Sequence, residues 1–589
     1  TECFAIQMSA RGFKSQALEQ HGGLIMEETT RSSAARLAIH NFRIAADALL
    51  LIGRFHMNTR SGQVLQDALK TLSPEIYGTM NDPRSIELKG IEYVMERLPR
   101  GVEECSRFVM TSEEDLGDTP FVMLRPLKRR RTSYRISEKE MCFVITRGFS
   151  EIYDILTHLT FLYVEAKNIH GKMLDQDGNP TTEWREFEKF MEHRDEDDSE
   201  QLNRALWNLS IILGRTFHET RDTYEHFSKT KKELNATNDL FEIVHKLAHK
   251  MKCVVEKQTD VEVRFTPDLS HVILHQVYGK KWAAGIREAL QELNLENRPL
   301  HIISSNLHSV ANLLYGYGAV GARFDTECAG DLYSFVRELR NRAPEVLEYA
   351  GSYGFYELPD TSGAHVDCQI IDTARLPWEA MHPDLGITRE EVEETEPIIL
   401  VMDYAFGTQA FELIDSLLQP MMVGGEEKNL HLRSISIMGK AGTLLGKKGD
   451  IMIATAHVLE GSAHNYIIEN DLKEEDFEGF KDVFTGPMIT VLGTSLQNRD
   501  VLETFKTTSW KAVGLEMEGG HYHRAINAAM IRGHISKDVK VRYAYYASDN
   551  PLVSGQTLAS GSLGVEGIKP TYMITRCILR KILKGQACG

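Results

Sequence analysis

The sequence has 589 residues, 42% of them hydrophobic, with 67 Lys and Arg against 84 Asp and Glu. A chain of this length is too long for one ordinary hydrophobic core, so we expect two or three domains. The formal net charge of −17 argues against a general nucleic-acid binder or a binder of anionic membranes, although a local basic pocket is compatible with it.

The eight cysteines are scattered along the chain without a C-x-x-C pair. This pattern fits reduced thiols better than disulfides or a zinc site. No signal peptide is visible, and no apolar run is long enough to cross a bilayer. We therefore expect a cytoplasmic protein without a metal, a cofactor or a membrane partner.

Helical spacing of apolar residues dominates residues 32–98 and 137–251. Between these blocks, Lys128, Arg129, Arg130 and Arg131 form a basic cluster that would suit a phosphate or an acidic partner, although a solvated loop is the more ordinary interpretation. A strand is predicted at residues 261–265, and a helix follows it. The first half is therefore predicted to be mainly α-helical.

After Pro299 the pattern changes to short apolar runs separated by glycine-rich turns and helices. The runs that we predict as strands are LHIISSN, PIILVMDYAFG, LRSISIMGKAG, GDIMIATAHVL, MITVLGTS, WKAVGLEMEGG and VKVRYAYYASD. Several end in a small or acidic residue, which is typical of an α/β sheet that binds ligands at the carboxyl ends of its strands. We predict a helical domain at residues 1–295 and an α/β domain at residues 296–589.

Two carboxylates flank a methionine in the stretch GLEMEGG, at the end of one predicted strand. Burying a carboxylate without a partner costs several kcal/mol, on the order of 3 to 5. The pair therefore predicts a ligand, a cation or a hydroxyl group nearby. The alternative is a helix N-terminus, where the helix dipole favours acidic side chains.

Four segments, in this order, resemble the nucleoside phosphorylase superfamily: GKAGTLLGKKGDIMIAT, GPMITVLGTS, GLEMEGG and ASDN. The superfamily includes purine nucleoside phosphorylases, methylthioadenosine nucleosidases and AMP nucleosidases. The resemblance covers residues 299–583 and implies a phosphorylase-type mixed central sheet flanked by helices. It also implies an enzyme that cleaves the N-glycosidic bond of a purine nucleoside or nucleotide.

The resemblance assigns the central chemistry to Glu518 and Asp549. Bond cleavage builds positive charge on the ribose and negative charge on the departing purine, so the site needs acceptors at the sugar and an acid at the base. Glu518 matches the residue that accepts hydrogen bonds from the ribose hydroxyls, and Met517 matches the residue that packs on the sugar. Asp549 matches the acid at the purine N7, with a helix cap as the alternative. Glu516 either lines the site or makes structural hydrogen bonds.

The phosphate end of the site departs from the resemblance, because Lys440 stands where many members have a small hydroxyl residue. A lysine on the predicted glycine turn, between Gly439 and Gly442, would bind phosphate as a point charge, or it would be an exposed side chain. The first α/β strand ends in Ser305, Asn306, His308 and Ser309, without the phosphorylase or nucleosidase pattern. The choice between phosphate and water as the nucleophile therefore stays open.

The remaining candidates are of second rank. Ser495, Leu496 and Gln497 align with the platform for the base, and Ser548 precedes Asp549. Gly407, next to Phe406, either admits a ligand close to the backbone or forms an ordinary turn. His464 is a candidate near the sugar. The histidines of HYH, residues 521–523, have no third ligand at metal spacing and are expected to pack.

These residues predict an enzyme that acts on a small-molecule purine nucleotide or nucleoside and forms a homo-oligomer. Hydrolysis of a nucleotide, as in AMP nucleosidases, is the preferred version, because Lys440 would meet a 5′-phosphate and because those enzymes also carry an extra domain. Phosphorolysis, with inorganic phosphate as co-substrate, is the first alternative. The second is a catalytically silent nucleotide sensor that signals through the helical half, whose expected role is regulation or oligomerisation.

Overall fold

The computed structural model describes residues 22–116, 119–129, 131–195, 198–321, 330–392, 396–423, 426–462, 464–480, 482–553 and 564–584. The first half contains ten helices within these residues: α1 Gly22–Ile52, α2 Arg60–Leu72, α3 Leu88–Met95, α4 Gly148–Met173, α5 Thr182–Glu192, α6 Ser199–Leu213, α7 Phe217–Leu234, α8 Leu240–Val255, α9 Pro267–Leu274 and α10 Val277–Glu292. This part is mainly helical, as predicted. No helix in the described segments is long and apolar enough to cross a membrane.

The first half also contains a six-stranded sheet, of which the sequence predicted only the last strand. Its strands are β1 Arg54–His56, β2 Arg107–Thr111, β3 Val122–Leu124, β4 Ser133–Ser137, β5 Glu140–Val144 and β6 Glu262–Phe265. They pair in the order β1-β6-β2-β5-β4-β3. Strands of three to five residues are too short for a two-residue period to stand out from neighbouring helical patterns.

The second half is a mixed α/β arrangement, and all seven predicted runs contain a strand. The strands are β7 Leu300–Ser304, β8 Phe355–Leu358, β9 Cys368–Asp372, β10 Ile398–Met402, β11 Met421–Val423, β12 Glu426–Lys428, β13 Leu432–Thr443, β14 Ile451–Leu459, β15 Asn465–Ile467, β16 Val483–Thr490, β17 Gly514–Glu516 and β18 Lys540–Asp549. The described helices are α11 Leu307–Val320, α12 Leu332–Glu338, α13 Ala343–Gly351, α14 Gln409–Leu417, α15 Arg499–Thr507, α16 Gly519–Arg532 and α17 Ile568–Leu583.

The ten-stranded sheet follows the order β15-β14-β16-β17-β13-β7-β10-β9-β8, and β18 pairs with both β13 and β14. Strands β13, β18, β14, β16 and β17 therefore pair in a closed ring. Helices α14 and α16 pack together, as do α11 and α17. The predicted central mixed sheet with flanking helices is confirmed.

The two halves share hydrophobic packing. One core, built mostly from the first half, also contains Leu496, Leu515 and Met517 of the second half. Conversely, Trp282 and Ile286 of α10 pack in the core of the large sheet. The division at residue 295 stays a prediction.

Candidate active site

Both predicted catalytic carboxyl groups lie on or directly after strands that pair with the same end of β13. In the parallel pairing of β13 with β18, Gly442 lies opposite Asp549 after a bulge. Strand β17 runs antiparallel to β13 and places Leu515 opposite Gly442. Glu518 follows β17 after Met517, so both carboxyl groups belong to segments whose strands pair with the last residues of β13.

Glu516 is only 2% exposed and binds the backbone at the start of α16. Its Oε1 accepts a hydrogen bond of 2.6 Å from the Thr490 hydroxyl, and its Oε2 accepts from the backbone N–H groups of Glu518 and Gly519. Burial raises the pKa of Glu516 to about 7. Glu516 thus has the helix N-terminus arrangement considered for this motif, and its contacts fix the turn that presents Glu518.

Glu518 is held by the loop that follows β10. Its Oε1 accepts a hydrogen bond of 2.9 Å from the backbone N–H of Gly407. Burial, together with the neighbouring Glu516, raises the pKa of Glu518 to about 8. A carboxyl group with this pKa can gain or lose its proton near neutral pH. A charge on a bound ligand could therefore change its protonation state. Met517, which is 8% exposed, lies beside Gly407.

Gly407 has a φ of +55°, so the turn itself favours glycine. A Cβ atom at this position would lie 2.2 Å from the Ser150 hydroxyl of α4. The same hydroxyl accepts a hydrogen bond of 2.9 Å from the backbone N–H of Thr408. The backbone at Gly407 therefore approaches the helical half of the chain closely, and its contact with a ligand stays a prediction.

Asp549 is 1% exposed at the end of β18. Its Oδ1 accepts a hydrogen bond from the Ser548 hydroxyl, and its buried Oδ2 has no hydrogen-bond partner within the described residues. Burial raises the pKa of Asp549, and Ser548 and Lys440 oppose this rise. The carboxyl group therefore favours the protonated form more than an exposed aspartate does and keeps one oxygen available for a ligand.

Lys440 lies within β13, so the predicted glycine turn at this position is wrong. The strand runs through Gly439, Lys440 and Gly442, and the turn comes after Thr443. The space around Gly439 does not itself require a glycine. A Cβ atom on Gly439 would lie 3.8 Å from Tyr404 and 3.9 Å from Tyr545.

Lys440 lines a cavity of about 490 Å³ together with Asn306, His308 and Tyr546. Burial lowers the pKa of Lys440, Asp549 raises it, and Arg129 and Lys448 lower it further. The side chain is therefore near both the predicted acid and a cation of the helical half. A larger cleft of about 1100 Å³ lies by the first residues of β18 and contains none of the predicted site residues.

Two arginines of the helical half lie near the ring of Phe406. The sequence did not indicate this contact. The guanidinium groups of Arg129 and Arg147 lie 6.0 and 5.9 Å from the centre of the Phe406 ring. Arg129 also donates to the Thr494 hydroxyl at 3.5 Å. These residues are distant from each other in sequence, so only the fold shows that they meet.

The basic cluster of the first half is an ordered set of ion pairs and not a solvated loop. Lys128 pairs with Glu96 at 2.6 Å, and Arg129 pairs with Asp154 at 3.3 Å. Arg131 is 4% exposed and pairs with Asp154 at 2.9 Å. Arg130 lies outside the described residues.

The residues aligned with the base platform are buried against the helical half. Leu496, at the end of the short 3₁₀ helix Thr494–Leu496, belongs to the core of that half. The carbonyl of Gln497 accepts a hydrogen bond of 3.0 Å from the backbone N–H of Glu75. Ser495 is also buried. Their contact with a base stays a prediction.

Two histidines, one within β14 and one after it, differ in environment. His464 is exposed, and its carbonyl accepts a hydrogen bond of 3.1 Å from the backbone N–H of Leu459, so its role near the sugar stays a prediction. His457, which the sequence analysis missed, is buried, and its Nε2 lies 3.0 Å from the Tyr545 hydroxyl. A Cβ atom at Gly519 would lie 2.2 Å from this Nε2, which explains the glycine after Glu518.

A further buried carboxyl group lies where α1 meets the second half. Glu460 is 1% exposed, and the Arg36 Nε donates to its backbone carbonyl at 3.3 Å. Burial raises the pKa of the Glu460 side chain to about 8, against small opposing effects of the Leu492 N–H and Arg36. The folded protein therefore keeps a proton on Glu460 up to a pH near this value. An unfolded chain loses the same proton near the ordinary pKa of glutamate, about 4.3.

Between these two pKa values, stability falls as pH rises, since the folded state binds more protons than the unfolded state. We expect Glu460→Gln to raise the melting temperature at pH 8 and to change it little at pH 5. Thermal unfolding of both proteins across this range measures the effect. Glu469→Gln, which alters an exposed carboxylate, is the control. Equal shifts of Glu460→Gln at the two pH values would contradict the raised pKa.

The chain is similar to several solved structures over about half of its length. Futalosine hydrolase of Helicobacter pylori is 12% identical, with a TM-score of 0.28, over 48% of this chain and 97% of that one. A putative methylthioadenosine nucleosidase of Weissella paramesenteroides is 13% identical, with the same TM-score and coverages. Uridine phosphorylase of Schistosoma mansoni is 12% identical, with a TM-score of 0.29, over 50% of this chain and 90% of that one.

These similarities are too remote to assign an activity. No curated protein matches the chain. The profile of one sequence family matches residues 63–323 and 330–584, which is most of the chain and includes both halves. The chain therefore belongs to DUF6909, a family of unknown function.

Proposed function

We propose that this protein cleaves the N-glycosidic bond of a purine nucleotide or nucleoside, and that it preferentially hydrolyses a nucleotide to release the free base. The observation that carries the proposal is the pair Glu518 and Asp549. Asp549 is buried and Glu518 is half-buried, both have a raised pKa, and both belong to segments whose strands pair with the last residues of β13. The raised pKa of both groups supports the roles that the motif resemblance implies for them.

Asp549 acts as the acid at the departing purine. Protonation of N7 makes the base a better leaving group, and general acid catalysis contributes about 10² to 10⁴ in rate. The raised pKa keeps the proton on the carboxyl group to higher pH. Ser548 occupies Oδ1, which leaves Oδ2 to face N7.

Glu518 acts at the ribose. Its neutral form donates to a sugar hydroxyl, and its ionised form accepts from one. Positive charge on the ribose favours the ionised form and lowers the pKa of Glu518 from about 8. The interaction therefore strengthens as the glycosidic bond breaks, which is what transition-state stabilisation requires.

Cations support the nucleotide version. Lys440 lines the cavity and is close enough to Arg129 for the guanidinium to lower its pKa. Arg129 is paired with Asp154, so Lys440 is the cation of the cavity that a phosphate would bind. A 5′-phosphate would be part of a nucleotide substrate. Free phosphate at the same position would instead make the enzyme a phosphorylase, which is the first alternative.

Incubation with a panel of purine nucleosides and nucleoside monophosphates tests the proposal. Free base is measured by chromatography, with and without inorganic phosphate. Release of base from a monophosphate without phosphate supports nucleotide hydrolysis, and release that needs phosphate supports phosphorolysis. No release from any substrate, together with tight binding of a nucleotide, would favour the silent sensor, although sensing alone does not require both carboxyl groups.

We expect Lys440→Ala to lower kcat/KM for a nucleoside monophosphate by about 10- to 100-fold and to leave nucleosides nearly unchanged. A hydrogen bond to a charged group contributes about 1.5 to 3 kcal/mol, which corresponds to this loss. Lys447→Ala is the control, because the Lys447 side chain is 78% exposed on the turn after β13. Equal activity of both variants on both substrates would show that Lys440 does not bind a phosphate.

The homo-oligomer expected from the sequence stays part of the proposal. The helical half contacts the candidate site through Ser150, Arg129 and Arg147. One chain therefore supplies residues from both halves to the same site. We propose that this half supports the site directly, in addition to any role in assembly.

A further inference from the structure

A cluster of three metal-ligand side chains lies in the helical half, apart from the candidate active site. His245 and His249 are one turn apart on α8, and Glu188 faces them from α5. One ligand atom from each residue lies within 4.8 Å of the others. All three side chains are partly exposed, so an ion has a route from solvent.

The distances are close to those of a zinc site. Bonds of about 2.0 to 2.2 Å in tetrahedral geometry separate ligand atoms by about 3.3 to 3.5 Å. The His249 Nε2 already lies 3.4 Å from the Glu188 Oε1. The two imidazole rings lie 4.3 Å apart, with 55° between their planes. Small side-chain rotations would bring the third ligand atom to the same distance.

The two helices that carry the cluster are fixed to each other by other contacts. Phe187 and Phe190 of α5 pack against Phe241 of α8, with ring centres 5.8 and 5.1 Å apart. Arg194, just after α5, pairs with Asp239, which caps α8, at 3.0 Å. An ion would therefore bind side chains whose backbones are already in place, which reduces the entropy lost on binding.

Aromatic packing against Trp184 supports the side chains of the two histidines. Trp184 is fully buried, and its ring centre lies 6.3 Å from the rings of both His245 and His249. An ordinary ion pair would account for the contact between His249 and Glu188. An ion pair does not account for the position of His245, whose imidazole nitrogen lies beside the other two side chains.

We propose that Glu188, His245 and His249 bind one Zn²⁺ ion, with water completing the coordination. Imidazole and carboxylate are ordinary zinc ligands, and three protein ligands with one open position are typical of an exchangeable site. The ion would cross-link α5 and α8. The sequence predicts no metal site, because neither the cysteines nor the HYH stretch has metal-ligand spacing, and Glu188 is distant in sequence from HKLAH.

Metal binding by the full chain, without an affinity tag and after treatment with a chelator, tests the proposal. We expect equilibrium dialysis to give one equivalent of bound Zn²⁺, and Co²⁺ to show the visible absorption of a four-coordinate site. Zn²⁺ should also raise the melting temperature, because it binds the folded state. Failure of the full chain to bind one equivalent would overturn the proposal.

Substitutions of the proposed ligands test where the ion binds. His249→Ala and Glu188→Gln should each weaken binding of Zn²⁺ by more than about tenfold, since loss of even an outer-shell partner costs about 10- to 100-fold. Glu188→Gln keeps the size of the side chain, so it serves if His249→Ala does not fold. The control is His275→Ala, which breaks another histidine pair one helical turn apart, His271 and His275. Equal affinity of wild type and Glu188→Gln would overturn the assignment.

Discussion

Replacing Asp549 with Asn should lower the turnover of a purine substrate by about 10² to 10⁴, while binding of the substrate survives. Asparagine keeps the shape of the side chain and still forms hydrogen bonds, but it cannot deliver a proton to N7. Steady-state kinetics give the turnover, and calorimetry gives the affinity. The wild-type rate should also fall as pH rises past the raised pKa of Asp549, and the variant should lose this dependence.

The control for this experiment is Asp538→Asn, an exposed aspartate just before β18. It makes the same chemical change near the same strand without touching the site. Full turnover by Asp549→Asn on a substrate whose base needs protonation would show that Asp549 only caps the chain after β18. The mechanism proposed above would then be wrong, even if the protein is a nucleosidase.

Replacing Glu518 with Gln should weaken turnover of ribosides about 10- to 100-fold more than turnover of 2′-deoxyribosides. The reason is that Glu518 is assigned to the ribose hydroxyls, and a charged hydrogen bond contributes about 1.5 to 3 kcal/mol. The two substrates differ only in one hydroxyl, so each serves as the control for the other. The measured quantity is the ratio of their kcat/KM values in the variant and the wild type.

A second comparison separates this role from simple damage to the fold. Glu478→Gln removes an exposed carboxylate and should leave both substrates unchanged. The hydrogen bond from the Gly407 N–H can be kept by the glutamine oxygen, so Glu518→Gln should unfold at a temperature close to that of the wild type. Equal losses on the two substrates would remove the assignment of Glu518 to the sugar.

The sequence predicted the large sheet well because its strands are long or strongly apolar. Runs such as VKVRYAYYASD and LRSISIMGKAG have no helical period and end in the residues of the site. The sheet of the first half was missed, since strands such as Arg54–His56 are too short to show a period. The turn at Lys440 was predicted wrongly, because glycines inside a strand resemble those of a turn in the sequence.

The same limit applies to the site. Glu518 and Asp549 stand in short motifs, so they could be selected from the sequence together with their chemistry. Ser150, Arg129 and Arg147 could not, because they reach the site only through packing between the two halves. The zinc cluster shows the same limit in the first half, since HKLAH gains its third ligand only when α5 packs on α8.

The contact between Ser150 and the loop at Gly407 has a consequence for regulation of the proposed activity. Thr408 donates to Ser150 of α4, and the adjacent Gly407 donates to Glu518, so two successive backbone N–H groups join the helical half to the carboxyl group of Glu518. If Glu518 binds the substrate as proposed, an effector that shifts α4 would change the free energy of substrate binding through this loop. By thermodynamic reciprocity, substrate binding changes the affinity for that effector by the same factor.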